Sequence, residues 1–141
     1  MTAPQPAAAT SKTIRVIHAA LVTGVLLFGL VGHFVMRPSQ AAEASEFPAA
    51  LLPGLLGVAL AVCVLSLVLR RRIPRRSADE SADLFWVAAV APAMITWASL
   101  EAASILSIFL YVRTGSLSAI AVAALAVALF VVFNPANLER R

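Results

Sequence analysis

Four long apolar runs, separated by short polar segments, dominate the pattern of hydrophobic and polar positions along the chain. The first run, 14–36, would measure about 34 Å as an α-helix, because each residue adds about 1.5 Å to the helix length. The others cover 49–69, 84–112 and 117–133, and even the last is long enough to cross a hydrocarbon layer. The pattern predicts an all-α polytopic membrane protein with four transmembrane helices.

Capping and helix-breaking residues mark the ends of these runs. The third run follows Ser77 and Glu80, whose Ser-x-x-Glu spacing is typical of a capping box at a helix start. Pro92 lies inside that run and predicts a kink. The fourth run starts behind a candidate cap at Ser116 and ends before Pro135. The runs are therefore separate helices joined by short connections.

The N-terminal region permits a second interpretation. Lys12 and Arg15 lie at the start of the first run, and the segment Ser39, Gln40 and Ala41 would be a tolerable cleavage site for a signal peptide. The apolar core of a signal peptide usually has only about 7 to 15 residues, so a retained transmembrane helix is favoured. We expect 1–13, rich in Ala, Thr and Pro, to be a disordered cytoplasmic tail, and 14–141 to be a single four-helix transmembrane bundle.

Composition and charge agree with a membrane location. Apolar residues make up 61% of the chain, well above the half that is usual in soluble domains. The net charge of +4 does not indicate nucleic acid binding, because five arginines lie in one short segment between apolar runs. A topogenic signal with ordinary lipid contacts is the favoured interpretation of that cluster, and binding of an anionic lipid headgroup or of a soluble acidic partner is the alternative. The members of the cluster are Arg70, Arg71, Arg72, Arg75 and Arg76.

The distribution of basic residues predicts the orientation of the helices. Nine of the eleven Lys and Arg residues lie in the N-terminal segment, the second connection and the C-terminal segment, which a four-pass chain places on one side. Only Arg37 and Arg113 fall on the other side. Basic residues concentrate in short cytoplasmic connections, so both termini are predicted to be cytoplasmic. The short loops and the strong asymmetry favour a bacterial inner membrane.

Glu101 carries the strongest indication of chemistry. It lies twelve residues before Arg113, about 18 Å along the helix and near the membrane midplane. A charged carboxylate there costs about 2.5 kcal/mol or more. Ser104 and Thr96 lie near the same helix face, so these three residues form a candidate proton or cation site. An ion pair with a basic residue of another subunit is a second possibility, and the favoured interpretation is a protonated Glu101 that hydrogen-bonds to a neighbouring helix and only fixes packing.

Histidine and aromatic residues are placed near the predicted membrane interfaces. His18 and His33 lie more than about 20 Å apart on the first helix, so one metal ion cannot bind both. We expect both histidines, and the rings of Phe85 and Trp86, to lie at the interfaces; a haem ligand is the alternative for either histidine. The lone Cys63 excludes an intrachain disulfide. No cofactor and no metal site are predicted.

The segment from the second helix to Glu101 resembles the hairpin of rotary ATPase c-subunits. It combines a small-residue helix, a basic cytoplasmic connection and a helix with one mid-membrane carboxylate. The resemblance implies proton or cation handling at Glu101. The glycine-rich stripe of that family is represented only by Gly54 and Gly57, and the two flanking helices have no counterpart in a two-helix subunit.

The sequence lacks the usual signatures of phosphate-binding loops, zinc proteases and serine hydrolases, so we predict that the protein is not an enzyme. The favoured interpretation is an accessory or structural subunit of a membrane complex, in a homo- or hetero-oligomer. A proton- or cation-handling channel or transporter component that uses Glu101 is the first alternative. A haem-binding electron-transfer subunit is the second.

Overall fold

The computed structural model describes residues 10–37, 48 and 50–140, and within these ranges every regular element is a helix. The four long helices coincide with the four predicted segments to within three residues at each end. They are α1 (Ser11–Val31, continued by a π-helical turn over Gly32–Met36), α2 (Leu51–Arg70), α3 (Ala82–Thr114) and α4 (Leu117–Val132), and a short α5 (Pro135–Glu139) follows.

Two expectations concern segments that are only partly described. The predicted tail, 1–13, lies mostly outside the described residues, but its last three residues already belong to α1, which begins at Ser11. Thr10 caps this helix by accepting a hydrogen bond from the backbone N–H of Thr13. The candidate cleavage segment, 39–41, lies outside the described residues.

Three helices are long and apolar enough to cross a membrane: α1 with its π-helical turn, α2 and α3. The fourth, α4, is equally apolar in character but has 16 residues, about 24 Å of helix. The chain thus has the helices that a polytopic membrane protein requires, although α4 is shorter than the other three.

The longest helix, α3, is the centre of the bundle. It packs against α1, α2 and α4. Half of the residues in its most apolar 18-residue stretch are buried, compared with 17% in the corresponding stretches of α1 and α2. Trp86, Trp97 and Leu100 of α3 form the core near one end, together with Phe130 at the end of α4. The outer faces of α1 and α2 are consequently apolar surfaces that no described part of the chain covers.

The start of α3 differs from the prediction. Its cap is Ser81, whose Oγ accepts a hydrogen bond from the backbone N–H of Leu84 at 3.2 Å. The predicted capping box was wrong, because Ser77 and Glu80 close a separate turn through the bond from the Glu80 N–H to the Ser77 carbonyl. The helix then continues through Pro92 without a break.

Contacts between distant residues define two ends of the bundle. At the basic end, the Ser11 N–H donates to Asp83 at 2.8 Å, so the starts of α1 and α3 lie together. Glu139 of α5 lies at the same end, since its carboxylate pairs with Arg15. At the opposite, tyrosine end, Arg37 donates to the hydroxyl of Tyr111. Helices α1 and α3 therefore run from one end to the other, and α2 and α4 both end at the basic end, where the Arg70 guanidinium lies 4.4 Å from the centre of the Phe133 ring.

Candidate functional site

Glu101 lies at the border between α3 and α1. Ile108 follows it by seven residues, nearly two helical turns, and therefore lies on the same strip of α3. Ile108 packs against α1 so closely that a β-carbon added to Gly29 or Gly32 would lie 3.5 or 3.4 Å from its side chain. Glu101 is half-buried, and Ile105, one turn further along the helix, is exposed. The Glu101 side chain thus lies on the edge of the bundle, beside an outward-facing surface.

The carboxyl group of Glu101 has no hydrogen-bond or ion-pair partner in the described part of the chain. The residue is in the middle of α3, thirteen positions before Thr114, which is about 20 Å from the tyrosine end of that helix. A mid-helix carboxyl group at the rim of an apolar bundle is the most unusual polar feature of the molecule.

The other two residues of the predicted site make no hydrogen bond with Glu101. Thr96 and Ser104 are fully buried, and each hydroxyl donates to a backbone carbonyl four residues earlier in α3, at 2.8 Å. Both hydroxyl groups are therefore satisfied within their own helix. Ser107, one turn beyond Ser104, is also buried, and its Oγ has no partner among the described residues. The polar stripe of α3 divides into hydroxyls that face the core and a carboxyl group that faces outward.

His18 is buried inside the bundle, and its predicted position near a membrane interface stays a prediction. Its imidazole packs edge-on against the rings of Trp97 and Phe130, at centroid distances of 4.9 and 5.2 Å. The Nε2–H donates to the carbonyl oxygen of Phe130 at 3.1 Å. This bond satisfies a backbone carbonyl near the end of α4. It also joins α1 to α4, so the His18 side chain contributes to helix packing.

The tyrosine end holds a second histidine in a polar cluster of His33, Arg37 and Tyr111. The hydroxyl of Tyr111 accepts a hydrogen bond from Arg37 at 2.5 Å and is hydrogen-bonded to His33 Nδ1 at 2.8 Å. The guanidinium of Arg37 also lies 4.7 Å from the centre of the Tyr111 ring. The π-helical turn over Gly32–Met36 precedes Arg37 and contains His33. This cluster fixes the end of α1 against α3.

The basic end is closed by Glu139, a residue that the sequence did not indicate. Its carboxylate accepts hydrogen bonds from Ser11 Oγ at 2.6 Å, from Arg15 at 2.5 Å and from the indole N–H of Trp86 at 2.8 Å. Burial alone would raise the pKa of the Glu139 carboxyl group. The three hydrogen bonds and the charge of Arg15 outweigh burial and lower this pKa below its ordinary value.

Trp86, which the sequence places at a membrane interface, is fully buried beside Glu139 at the basic end of the bundle. An indole N–H inside a protein requires an acceptor, and Glu139 is the acceptor here. Trp97 meets the same requirement by donating to the carbonyl of Phe133 at 2.8 Å. The two tryptophans of α3 thus tie the end of α4 and the whole of α5 to the central helix.

The five arginines of the predicted cluster separate into different surroundings. Arg70, Arg71 and Arg75 line one cleft of about 440 Å³ at the basic end, next to Leu138 of α5. Arg76 donates to the carbonyl of Glu80 at 2.9 Å and lines a second cleft of about 360 Å³ that also contains Glu139 and Arg140. Arg72 is exposed and lines neither cleft. The structure therefore distinguishes residues that the sequence pattern treats alike.

Within the described ranges, no three His, Cys, Asp or Glu residues are close enough together to hold a metal ion. Cys63 is buried in α2, where it packs against Ala103 of α3 and Ala126 of α4.

Comparison of the chain with models of known protein families, with curated proteins and with solved structures gives no match, so its function has to be inferred from its own residues.

Proposed function

We propose that this protein is a non-enzymatic accessory subunit of a membrane complex, and that it contacts its partner through the strip of α3 around Glu101. The observation that carries the proposal is the position of Glu101, a carboxyl group in the middle of a membrane-length helix, at the outer edge of the bundle and without a partner in the described chain. The proposed location is a bacterial inner membrane, with the bundle crossing it four times and both termini in the cytoplasm.

The free-energy cost of this carboxyl group favours a partner polypeptide. In hydrocarbon, a charged carboxylate costs about 2.5 kcal/mol or more, and even a protonated one needs an acceptor and a donor to be satisfied. Thr96 and Ser104 do not supply them, because their hydroxyls are bonded to their own helix and face the core. A hydrogen-bonding or basic side chain from another subunit would satisfy Glu101 and would select that subunit at the same time.

Uncovered surfaces beside α3 leave room for such a partner. Leu26, Leu30 and Phe34 on α1 are all about half exposed or more.

The geometry of the bundle supports the proposed topology. Arg15, Arg71, Arg75 and Arg140 lie at the basic end, and Arg37 lies at the tyrosine end. Helix packing thus places most of these arginines at one end of the bundle, in agreement with the charge bias along the sequence. That bias predicts that the basic end is cytoplasmic. Although α4 is only about 24 Å long, the short hydrophobic length is within what a bilayer can accommodate by local thinning.

The test is recovery of the natively expressed protein in a mild detergent, with identification of its companions and measurement of the intact mass. We expect a defined partner at fixed stoichiometry. Glu101→Leu should lower partner recovery by roughly ten- to a hundred-fold, the effect of losing one hydrogen bond to a charged group. The same substitution should leave the thermal stability of the isolated chain unchanged or higher, because it removes a carboxyl group from an apolar surface.

Ser99→Ala is the matched control. Ser99 is also half-buried in the middle of α3, but it lies about 200° around the helix from Glu101, and its hydroxyl is bonded to the carbonyl of Ile95. This variant should retain the partner. Recovery of the wild-type chain alone, as a monomer, would contradict the proposal.

A second candidate function uses the same carboxyl group. The exposed edge at Glu101 also suits a proton- or cation-handling component in which copies of the chain meet at this strip, as the resemblance to c-subunits implies. That function predicts a discrete homo-oligomer whose ion flux in liposomes is abolished by Glu101→Gln and by a carbodiimide. Unchanged flux in either case would exclude it.

A further inference from the structure

The outward face of α3 follows a heptad repeat. From Ala91 to the end of this helix, each exposed residue lies three or four positions from the next. The same spacing extends back toward the start of the helix through two more exposed residues. We call these residues the α3 seam; they are Leu84, Ala88, Ala91, Ile95, Ala98, Ala102, Ile105 and Phe109. Such a repeat allows a second helix to lie alongside the first in a left-handed coiled coil.

Glu101 occupies a flanking position of this repeat. The seam residues are positions a and d of the heptad, and Glu101, which directly precedes the seam residue Ala102, is position g. In coiled coils, a charged side chain at g pairs with an oppositely charged side chain at position e of the neighbouring helix. A helix on the seam would therefore place one of its own side chains beside Glu101, and a basic side chain would compensate the carboxylate.

The size of the seam side chains suits close contact at the level of Glu101. Ala98 and Ala102 are the seam residues nearest to Glu101 in the sequence, and both are exposed. Between positions 64 and 68 of α2, by contrast, every exposed residue is Val or Leu. Small residues let the backbones of two membrane helices approach closely. A second helix can therefore come close to α3 at the level of the carboxyl group that has no partner in the described chain.

A second copy of α3 does not supply the complementary charge. Two copies of the chain would cross a membrane in the same direction, so their α3 helices would pair in parallel. Glu101 of one copy would then face position e of the other, and no residue at position e is basic. The e positions along the seam are Phe85, Pro92, Ser99 and Leu106. A complementary helix therefore comes from a different protein.

We infer that the α3 seam binds one transmembrane helix of a different protein, and that this helix carries a Lys or Arg near the membrane midplane that pairs with Glu101. The inference rests on the proposed function, to which it adds the class of partner, the sign of its charge and the surface that it covers. Because the seam extends from Leu84 to Phe109, the partner helix lies along α3 at the small crossing angle of a coiled coil.

The first test is photocrosslinking of the full chain in living cells, with the crosslinked peptides sequenced by mass spectrometry. A photoreactive residue at Ile95 or at Phe109, two heptads apart on the seam, should give adducts with the same partner protein. We expect the crosslinked segment to be an apolar span with a Lys or Arg near its middle. Adducts with a second copy of this chain, with lipid alone or with a span that lacks a basic residue would overturn the inference.

Substitutions then test the geometry and the charge separately, with recovery of the partner in mild detergent as the measurement. Ala98→Leu overfills the seam and should lower recovery about tenfold. Ala61→Leu, the same change at an exposed position of α2, should lower it less than twofold. Glu101→Gln keeps the shape of the side chain and its capacity for hydrogen bonds but removes its charge, and should lower recovery about tenfold.

The outcomes separate this inference from the function on which it rests. Full recovery of the partner with Glu101→Gln would show that the partner side chain is uncharged, and full recovery with Ala98→Leu would show that the contact lies outside the seam. Either result would overturn the inference and leave the accessory-subunit function in place. Recovery of the wild-type chain without any partner would overturn both. The thermal stability of each isolated variant verifies that its fold is preserved.

Discussion

Glu139 Oε2 lies 2.5 Å from a guanidinium nitrogen of Arg15, and this contact joins residues that are 124 positions apart in the sequence. The carboxylate side chain is only 7% exposed, whereas that of Arg15 is 56% exposed. Glu139 is therefore the buried member of the pair, and Trp86 and Ser11 also donate hydrogen bonds to its carboxylate. Through Glu139, the short α5 connects the starts of α1 and α3 and closes the basic end.

Glu139→Ala should lower the free energy of unfolding by about 2 kcal/mol, because it leaves the buried indole N–H of Trp86 without its acceptor. The measurement is equilibrium unfolding in mixed detergent micelles. Glu80→Ala serves as the control, since the Glu80 carboxylate bonds only to Ser77 within the same turn. That control should change stability by less than about 0.5 kcal/mol.

The same carboxylate predicts a dependence on pH. The pKa of Glu139 is lower in the folded protein than in the unfolded chain, so its contribution to stability is complete above the ordinary glutamate pKa of about 4.3. This contribution is lost as the pH falls below that value and through the lowered pKa. The stability difference between the wild type and Glu139→Gln should therefore shrink on acidification below about pH 4. A difference that is constant between pH 7 and pH 3 would contradict the assignment.

At the tyrosine end, Tyr111→Phe should cost about 1 to 2 kcal/mol, because the ring still fills its site while Arg37 and His33 lose the hydroxyl between them. Arg37→Gln should cost a similar amount. In a double-mutant cycle, the double variant should lose about 1 kcal/mol less stability than the sum of the two single losses. The reason is that either substitution removes the same charged hydrogen bond. Strictly additive losses would mean that the two residues do not interact.

The proposed topology predicts which positions a membrane-impermeant maleimide can label. In a Cys63→Ala background, a single cysteine at Ser116, between α3 and α4, should react in intact spheroplasts. Single cysteines at Ala78 and Arg140 should react only after permeabilisation, because both positions line the cleft at the basic end. Labelling of positions 116 and 140 from the same side would exclude the four-pass arrangement.

The helices were predictable from the sequence, because twenty or so consecutive apolar residues permit few alternatives to a membrane-length helix. With the π-helical turn counted as part of the first helix, the bounds of the four long helices agree with that prediction to within three residues. The start of α3 was harder to locate, since Ser77 and Ser81 both satisfy the sequence rule for a cap. Only the turn that Ser77 forms with Glu80 identifies Ser81 as the cap.

The candidate site was only partly predictable. Glu101 is recognisable from its depth in an apolar run, but helix periodicity alone does not show which neighbouring helix covers which face. The packing of Ile108, on the same strip of α3, against α1 and the bond of Ser104 to its own helix both depend on the tertiary structure. Glu139 and Trp86 carried a usable signal, since a buried indole and a carboxylate near the basic end both require partners. Their pairing nevertheless depends on contacts across 53 positions of sequence.

Site-specific photocrosslinking in living cells can show whether another polypeptide covers the strip of α3 around Glu101. A photoreactive residue at Ile105, exposed one turn from Glu101, is compared with one at Val64, exposed on α2. We predict one discrete protein adduct from position 105, which is absent from position 64 and is lost in the Glu101→Leu variant. If position 105 yields no protein adduct, or if its adduct persists unchanged in Glu101→Leu, the Glu101 strip is not the contact surface.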